Sequence, residues 1–376
     1  MFERLKERLE GAVSEGGFLG GGICLIDRDG REQAHVTGRI HPDRPATGSN
    51  ALADPGMRLR MASISKAATA RVACALAVCG KLDLDAEVAG LLEGDPGTLS
   101  GVTVRMLLNH TSGLTDAAGY IFERPLSPMG FVAANAGAVE SENAPGSWFR
   151  YCNLNYVLLG AVLEAVTGRR FDTLAREFVL APAGIGGGFN WAGVPAAERA
   201  RRVPLYQRRR AGFEPQTEPE AADWSADIVW GDGRGFRFAD YELQRDTLLF
   251  SPHAGLRMSV IEAARLARLL GDDSPAGALQ RATSWKFTPD APNGNDCDGH
   301  FGAFGLGLTI YRSEKRIPGS LIGHAGHALG FTGGVWFNED TGVSAGLFLT
   351  GSADLTDGLE DEVFYGPEEL SLLQIL

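Results

Sequence analysis

Residues 63–85 read SISKAATARVACALAVCGKLDLD, a run in which Ala67, Ala70, Val72, Ala73, Leu76 and Ala77 recur at helical spacing with no breaker before Gly80. The pattern predicts a buried helix that begins near Ser63 and stops at Gly80, a residue suited to the C′ position because it accepts positive φ. On either side of this helix the period of the sequence changes. FLGGGICLIDRDGREQAHVTG (18–38) holds two short apolar stretches about Asp29-Gly30, the signal of a β-hairpin, and a loop rich in Pro, Gly, Asp and Asn follows over 39–57. From Thr103 to about Leu180 the pattern is helical. VRMLLNHTSG predicts a short helix stopping at Gly113, NYVLLGAVLEAVTG one stopping at Gly168, and FDTLAREFVLAPAG a third. Residues 185–255 read as irregular chain with a few strands, and SVIEAARLARLLGD (259–272) restores a helix. The last third returns to strands at FGLGLTIY (304–311), GFTGGVWFN (330–338) and TGVSAGLFLTG (341–351), with a turn over Asn338–Gly342 and a terminal helix in GPEELSLLQIL. Strands at both ends around a helical middle imply one antiparallel sheet assembled from residues 1–60 and 285–376, flanked by helices. Residues 61–284 form a mostly α-helical insertion, and the whole 1–376 is a single α/β unit.

Composition narrows the function. The 376 residues are 44% hydrophobic with mixed charge, which excludes a disordered chain. No apolar run reaches the roughly 18 residues of a membrane helix. The amphipathic start MFERLKERLEGAV lacks the continuous apolar core of an export signal, so the expected compartment is the cytoplasm. A net charge of −12 opposes a nucleic-acid surface. The arginines from Arg199 to Arg210 are read as a solvated loop or edge-strand face, with anionic substrate attraction as the first alternative and RNA binding as a distant one. The odd count of five cysteines fits a reducing environment, and Cys74 and Cys79 are read as small core residues. No Cys/His grouping has zinc spacing, so neither metal nor cofactor is expected.

Three short stretches carry chemistry. In Ser63-Ile64-Ser65-Lys66, residues three apart share a helix face, so the Lys66 amine reaches the Ser63 hydroxyl at a helix N-terminus. A serine hydroxyl needs a neighbouring base, and lysine serves only when its pKa is lowered from about 10.4. The alternative is a capping Ser with a solvated Lys. In Tyr151-Cys152-Asn153, just ahead of a helix, the phenol is placed to relay a proton and the Asn to donate to a carbonyl; a buried Tyr with a capping Asn is the alternative. In Gly323-His324-Ala325-Gly326-His327, glycine permits close approach of a ligand to a strand whose N–H can complete an oxyanion hole with that of Ser63. Trp224, Trp230, Phe236 and Phe238 are read as packing aromatics, with an acyl or leaving-group pocket as the alternative.

In this order the three stretches resemble the serine β-lactamase and penicillin-binding-protein superfamily, closest to its class C-like esterase and D-aminopeptidase branch. SISK matches the S-x-x-K motif, YCN stands for S-D-N, and HAG stands where K-T-G would. The likeness continues in GKLDLDAEV, VRMLLNHTSGL, APGSWFRYCNLNYVLLGAVLEAVTG and SPHAGLRMSVIEAARLARLL, over roughly residues 15–350. It implies Ser63 as acylated nucleophile, Lys66 as its base partner and Tyr151 as the general base or acid. Asn153 would position substrate and Lys66, and His324 would replace the third-motif Lys. The Ser63 and His327 amides would form the oxyanion hole beside Gly326. Since histidine is mostly neutral near pH 7, the anchor for a substrate carboxylate is weakened. The expected substrate is therefore a small-molecule ester, with a D-amino-acid amide or peptide, or a β-lactam, as alternatives. A catalytically silent binding protein is the alternative of another class. No motif bears on oligomeric state.

Overall fold

Eight antiparallel strands build the main sheet: β1 (Gly20–Ile26), β2 (Glu32–Gly38), β3 (Trp285–Lys286), β4 (Ala303–Phe304), β5 (Thr309–Arg312), β6 (Ser320–Ala328), β7 (Phe331–Asn338) and β8 (Ser344–Thr350). Their order across the sheet is β3-β4-β5-β6-β7-β8-β1-β2, so both chain ends contribute and β8 pairs with β1. The computed structural model describes residues 1–15, 17–94, 99–140, 142–217, 221–297, 299–312, 317–353 and 365–376.

Strand alternation sends successive side chains of β1 to opposite layers. Ile23 and Leu25 join Leu321, Trp336, Leu347 and Leu349 under α1 (Phe2–Glu15) and the terminal helix Pro367–Leu373, whose inward residues include Leu5, Leu9 and Leu372. Cys24, Val335 and Phe348 face the other way, into the larger core. That core is built on α2 (Ile64–Val78), α3 (Asn153–Thr167) and α4 (Val260–Leu270). The terminal helix is α5. In α2, Ala67, Ala68, Ala70 and Ala73 are fully buried, and their small side chains let neighbouring elements close on the helix from several sides. The helix follows Ser63 and ends ahead of Gly80, which has φ +68°, while α3 ends on a left-handed Gly168. A Ser259–Glu262 capping box starts α4. Among the described residues no helix is long and apolar enough to cross a membrane.

Three expectations need correction. The helix at Val104–Leu108 stops five residues before Gly113, because His110 takes φ +59° and turns the chain toward residues 150–152. The stretch 304–311 is two strands rather than one: Gly307 turns at φ +71°, in a spot where a Cβ would lie 2.5 Å from that of Ala70. Cys79 is exposed, since it sits at the C-cap of α2 beyond its last buried turn. The described residues of 185–255 form short strands, turns and short helical turns at Ala196–Arg199, Phe238–Asp240 and Thr247–Phe250, with a hairpin of Tyr206–Arg209 and Gly212–Pro215 among them. The basic stretch is solvated: Arg208 and Arg209 are exposed, and Arg202 lies 4.6 Å from the Trp224 ring centroid. Trp230 and Phe236 pack against the core and line a 160 Å³ cavity with Phe122 and Leu248. Arg170 covers Phe238 at 3.7 Å from its centroid.

Candidate active site

Ser63 lies at the cap of α2, half-buried, immediately after Ala62. Ala62 has φ +46°, a left-handed conformation that costs an alanine about 1 kcal/mol or more and that tight packing must hold. One turn on, Lys66 is fully buried and its ammonium position is fixed by three oxygens: Ser63 Oγ at 2.9 Å, Asn153 Oδ1 at 2.7 Å and the His253 carbonyl at 3.1 Å. Burial pushes the Lys66 pKa down to about 7, against the pull of the Asp116 carboxylate, which raises it. Two of the three oxygens, an amide and a peptide carbonyl, only accept hydrogen bonds. A neutral Lys66 amine has two N–H groups for them, and its lone pair is then left for the hydroxyl of Ser63.

Tyr151 precedes α3, and its hydroxyl hydrogen-bonds the Ser63 side chain. The Lys66 Nζ lies 4.9 Å from its ring centroid. Phe301 stacks on the phenol at 5.6 Å and 9°, and His110 tilts against it at 4.5 Å. Burial raises the Tyr151 pKa well beyond the ordinary phenol range, with the Ser63 hydrogen bond opposing it, so the phenol is held protonated.

Asn153 opens α3. Its Nδ2 donates to Asp116 Oδ2 at 2.9 Å, which turns its Oδ1 toward Lys66. His324 is buried in β6 with its ring 5.9 Å from that of Tyr151. Its Nδ1 donates to the Ala325 carbonyl, and its Nε2 has no partner among the described residues. Burial, and after it Lys66, pushes the imidazole down to about 3, so His324 brings no positive charge at neutral pH.

Strand register settles the rest of the third motif. β6 and β7 are joined by Leu329-Gly330, both at positive φ, the two-residue turn that closes a hairpin on the Ala328–Phe331 pair. Alternation then makes His327–Thr332 a pair whose main-chain groups point away from β7. On that side β5 pairs with β6 from Ser320 to Gly323, so the ladder between them stops short of His327. Gly326 allows this stretch to meet the start of α2: a Cβ there would lie 2.7 Å from the Met61 carbonyl. The His327 side chain goes elsewhere, its Nε2 2.7 Å from Glu369 Oε2 on α5.

Ser63, Lys66, Tyr151 and Asn153 thus converge, His324 borders them, and Gly326 and the His327 main chain lie alongside α2. Sequence reasoning missed Asp116, His110 and His253. All three lie in or beside stretches already quoted, HTSGL and SPHAGL, yet nothing local marks them, because their partners are tens of residues away.

The beta-lactamase family model matches residues 5–365. Penicillin-binding protein 4 of Amycolatopsis lactamdurans is 27% identical over 161 residues, covering 42% of each chain. The chain spans 29–42% of the length of the curated relatives it matches. Among solved structures, the D-amino acid amidase of Ochrobactrum anthropi SV3 aligns at TM-score 0.69 and 19% identity, over 99% of this chain and 96% of that one. The octameric penicillin-binding protein homologue of Pyrococcus abyssi aligns at TM-score 0.69 and 20% identity, over 100% and 76%. At these identities the likeness is one of fold.

Proposed function

The chain belongs to the beta-lactamase family, and we propose that it works as a serine hydrolase that cleaves small carboxylic esters through an acyl-enzyme, with residues 1–376 as one catalytic unit. The carrying observation is the buried Lys66 Nζ, 2.9 Å from Ser63 Oγ and within hydrogen-bond distance of Asn153 Oδ1 and the His253 carbonyl, an arrangement in which the neutral amine turns two N–H groups to those acceptors and its lone pair to the serine hydroxyl. Lys66 takes the hydroxyl proton as Oγ bonds to the ester carbonyl carbon. The Ser63 and His327 amides receive the negative oxygen. The protonated Tyr151 donates its proton to the departing alkoxide and is reprotonated by Lys66, so the alcohol leaves with the Tyr151 proton and the proton that Ser63 gave up ends on Tyr151. Water then enters and gives a proton to the same pair as its oxygen bonds to the acyl carbon; the bond to Ser63 Oγ breaks, Oγ takes that proton back and the acid is released.

Neutral His324 supports an ester over a substrate anchored by its carboxylate, because the third motif supplies no fixed cation. The test is parallel turnover of p-nitrophenyl acetate and butyrate, D-aminoacyl anilides and a chromogenic cephalosporin, with Ser63→Ala as control. Ester cleavage lost in that variant is the expected result. Turnover confined to D-aminoacyl anilides would move the substrate class to D-amino-acid amides. No Ser63-dependent turnover of any of them would favour a silent binding protein.

A further inference from the structure

Tyr151 and Cys152 have no regular secondary structure and Asn153 is the first residue of α3, yet Tyr151 and Asn153 must both meet the Ser63–Lys66 turn. The HTSGLTD turn (110–116) holds this segment. The His110 carbonyl accepts from the Arg150 N–H at 2.8 Å and His110 Nδ1 accepts from the Cys152 N–H at 3.2 Å, one bond on either side of Tyr151. At the other end of the turn, the Asp116 carboxylate accepts four donors: the Asn153 N–H at 2.8 Å, Asn153 Nδ2 at 2.9 Å, the Leu154 N–H at 3.1 Å and Cys152 Sγ at 3.1 Å. It caps α3 from outside that helix and determines which end of the Asn153 amide faces Lys66.

We propose that Asp116 is a positioning residue that orients the Asn153 amide and, through that amide and its own negative charge, holds the Lys66 amine for catalysis. The inference rests on the serine hydrolase reading above, since it assigns Lys66 as base. One amide group separates the carboxylate from Nζ, in an environment where charges are poorly screened. The other titratable groups around Lys66 are Cys152, Tyr151, Tyr156, His110, His253 and His324. Burial favours the neutral form of each: the thiol and phenols are pushed up and the imidazoles down. Arg60 bears on His253. Asp116 is therefore the group whose loss changes the charge that Lys66 experiences.

The experiment is the pH dependence of kcat/KM for p-nitrophenyl acetate in wild type, Asp116→Asn, Asp116→Ser and Asp116→Glu, each normalised to active centres counted with a fluorophosphonate. Without the carboxylate, the midpoint of the ascending limb should move about one pH unit lower, since an opposite charge nearby favours the ammonium. The rate plateau should fall about tenfold, with KM within about twofold, as Asn153 loses its fixed orientation. Asp116→Ser retains an oxygen that can cap α3, so it serves if the Asn variant does not fold. Asp116→Glu should return the midpoint toward wild type even if its plateau stays low. A merely structural cap would reduce the number of active centres and leave the midpoint in place, and that result would overturn the proposal. Wild-type enzyme lacking Ser63-dependent turnover would instead overturn the hydrolase reading beneath it.

Discussion

Changing the pH between 6 and 8 perturbs one group at the site above all. The Lys66 side chain is fully buried, and its pKa falls from 10.5 to about 7, equivalent to about 5 kcal/mol of lost preference for the ammonium. At pH 6 about one amine in ten is neutral, and at pH 8 about nine in ten. If neutral Lys66 accepts the Ser63 proton, kcat/KM for an uncharged ester should rise about tenfold over this interval and level off above pH 8. His110, His253 and His324 are all pushed below the ordinary histidine range by burial, so they add no second limb between pH 6 and 8. Initial rates with p-nitrophenyl acetate at constant ionic strength, read at a wavelength insensitive to p-nitrophenol ionisation, measure the limb directly. A midpoint near the 10.5 of a solvated lysine, or a flat profile, would refute the assignment of Lys66 as base.

Other outcomes follow from the same geometry. Tyr151→Phe removes the hydroxyl beside Ser63 but keeps the ring stacked on Phe301, so kcat/KM should fall about 100-fold or more with little change in melting temperature; steady-state kinetics with thermal melts checks this, and a near-normal rate removes Tyr151 from the mechanism. Gly326→Ala places a methyl 2.7 Å from the Met61 carbonyl and should push β6 away from the start of α2, lowering kcat more than it raises KM. Unchanged kinetics in that variant would mean that β6 takes no part in oxyanion binding. Glu164 is buried in α3, accepting from Tyr241, Phe171 and Gln244, and burial raises its pKa from 4.5 to about 7. Its contribution to stability is full below pH 4.5 and is lost as pH rises through about 7. The melting temperature of Glu164→Gln relative to wild type should therefore climb from pH 5 to pH 8, and a difference independent of pH would contradict the shift.

Local patterns made much of this fold legible. The apolar period of 63–80 and 155–168 and the alternation in 330–351 each persist over enough residues to dominate nearby choices, and Ser63 and Lys66 share a helix face by spacing alone. What escaped reading depends on partners distant in sequence. His110 breaks the helical pattern of VRMLLNHTSG because its carbonyl and ring serve residues 150 and 152, a demand invisible within that stretch. Asp116 looks like an ordinary turn residue until α3 presents its free N–H groups. In GHAGH, strand alternation buries His324 near Tyr151 and sends the His327 side chain to Glu369 in the opposite layer, a partner that nothing local announces.

Intact-mass and peptide-level mass spectrometry after rapid quenching of the enzyme with p-nitrophenyl acetate is the most direct measurement of all. One acetyl group on the peptide containing Ser63, absent in Ser63→Ala, is the expected result. An unmodified chain during turnover, or an acetyl group carried by a different residue, would contradict covalent catalysis by Ser63.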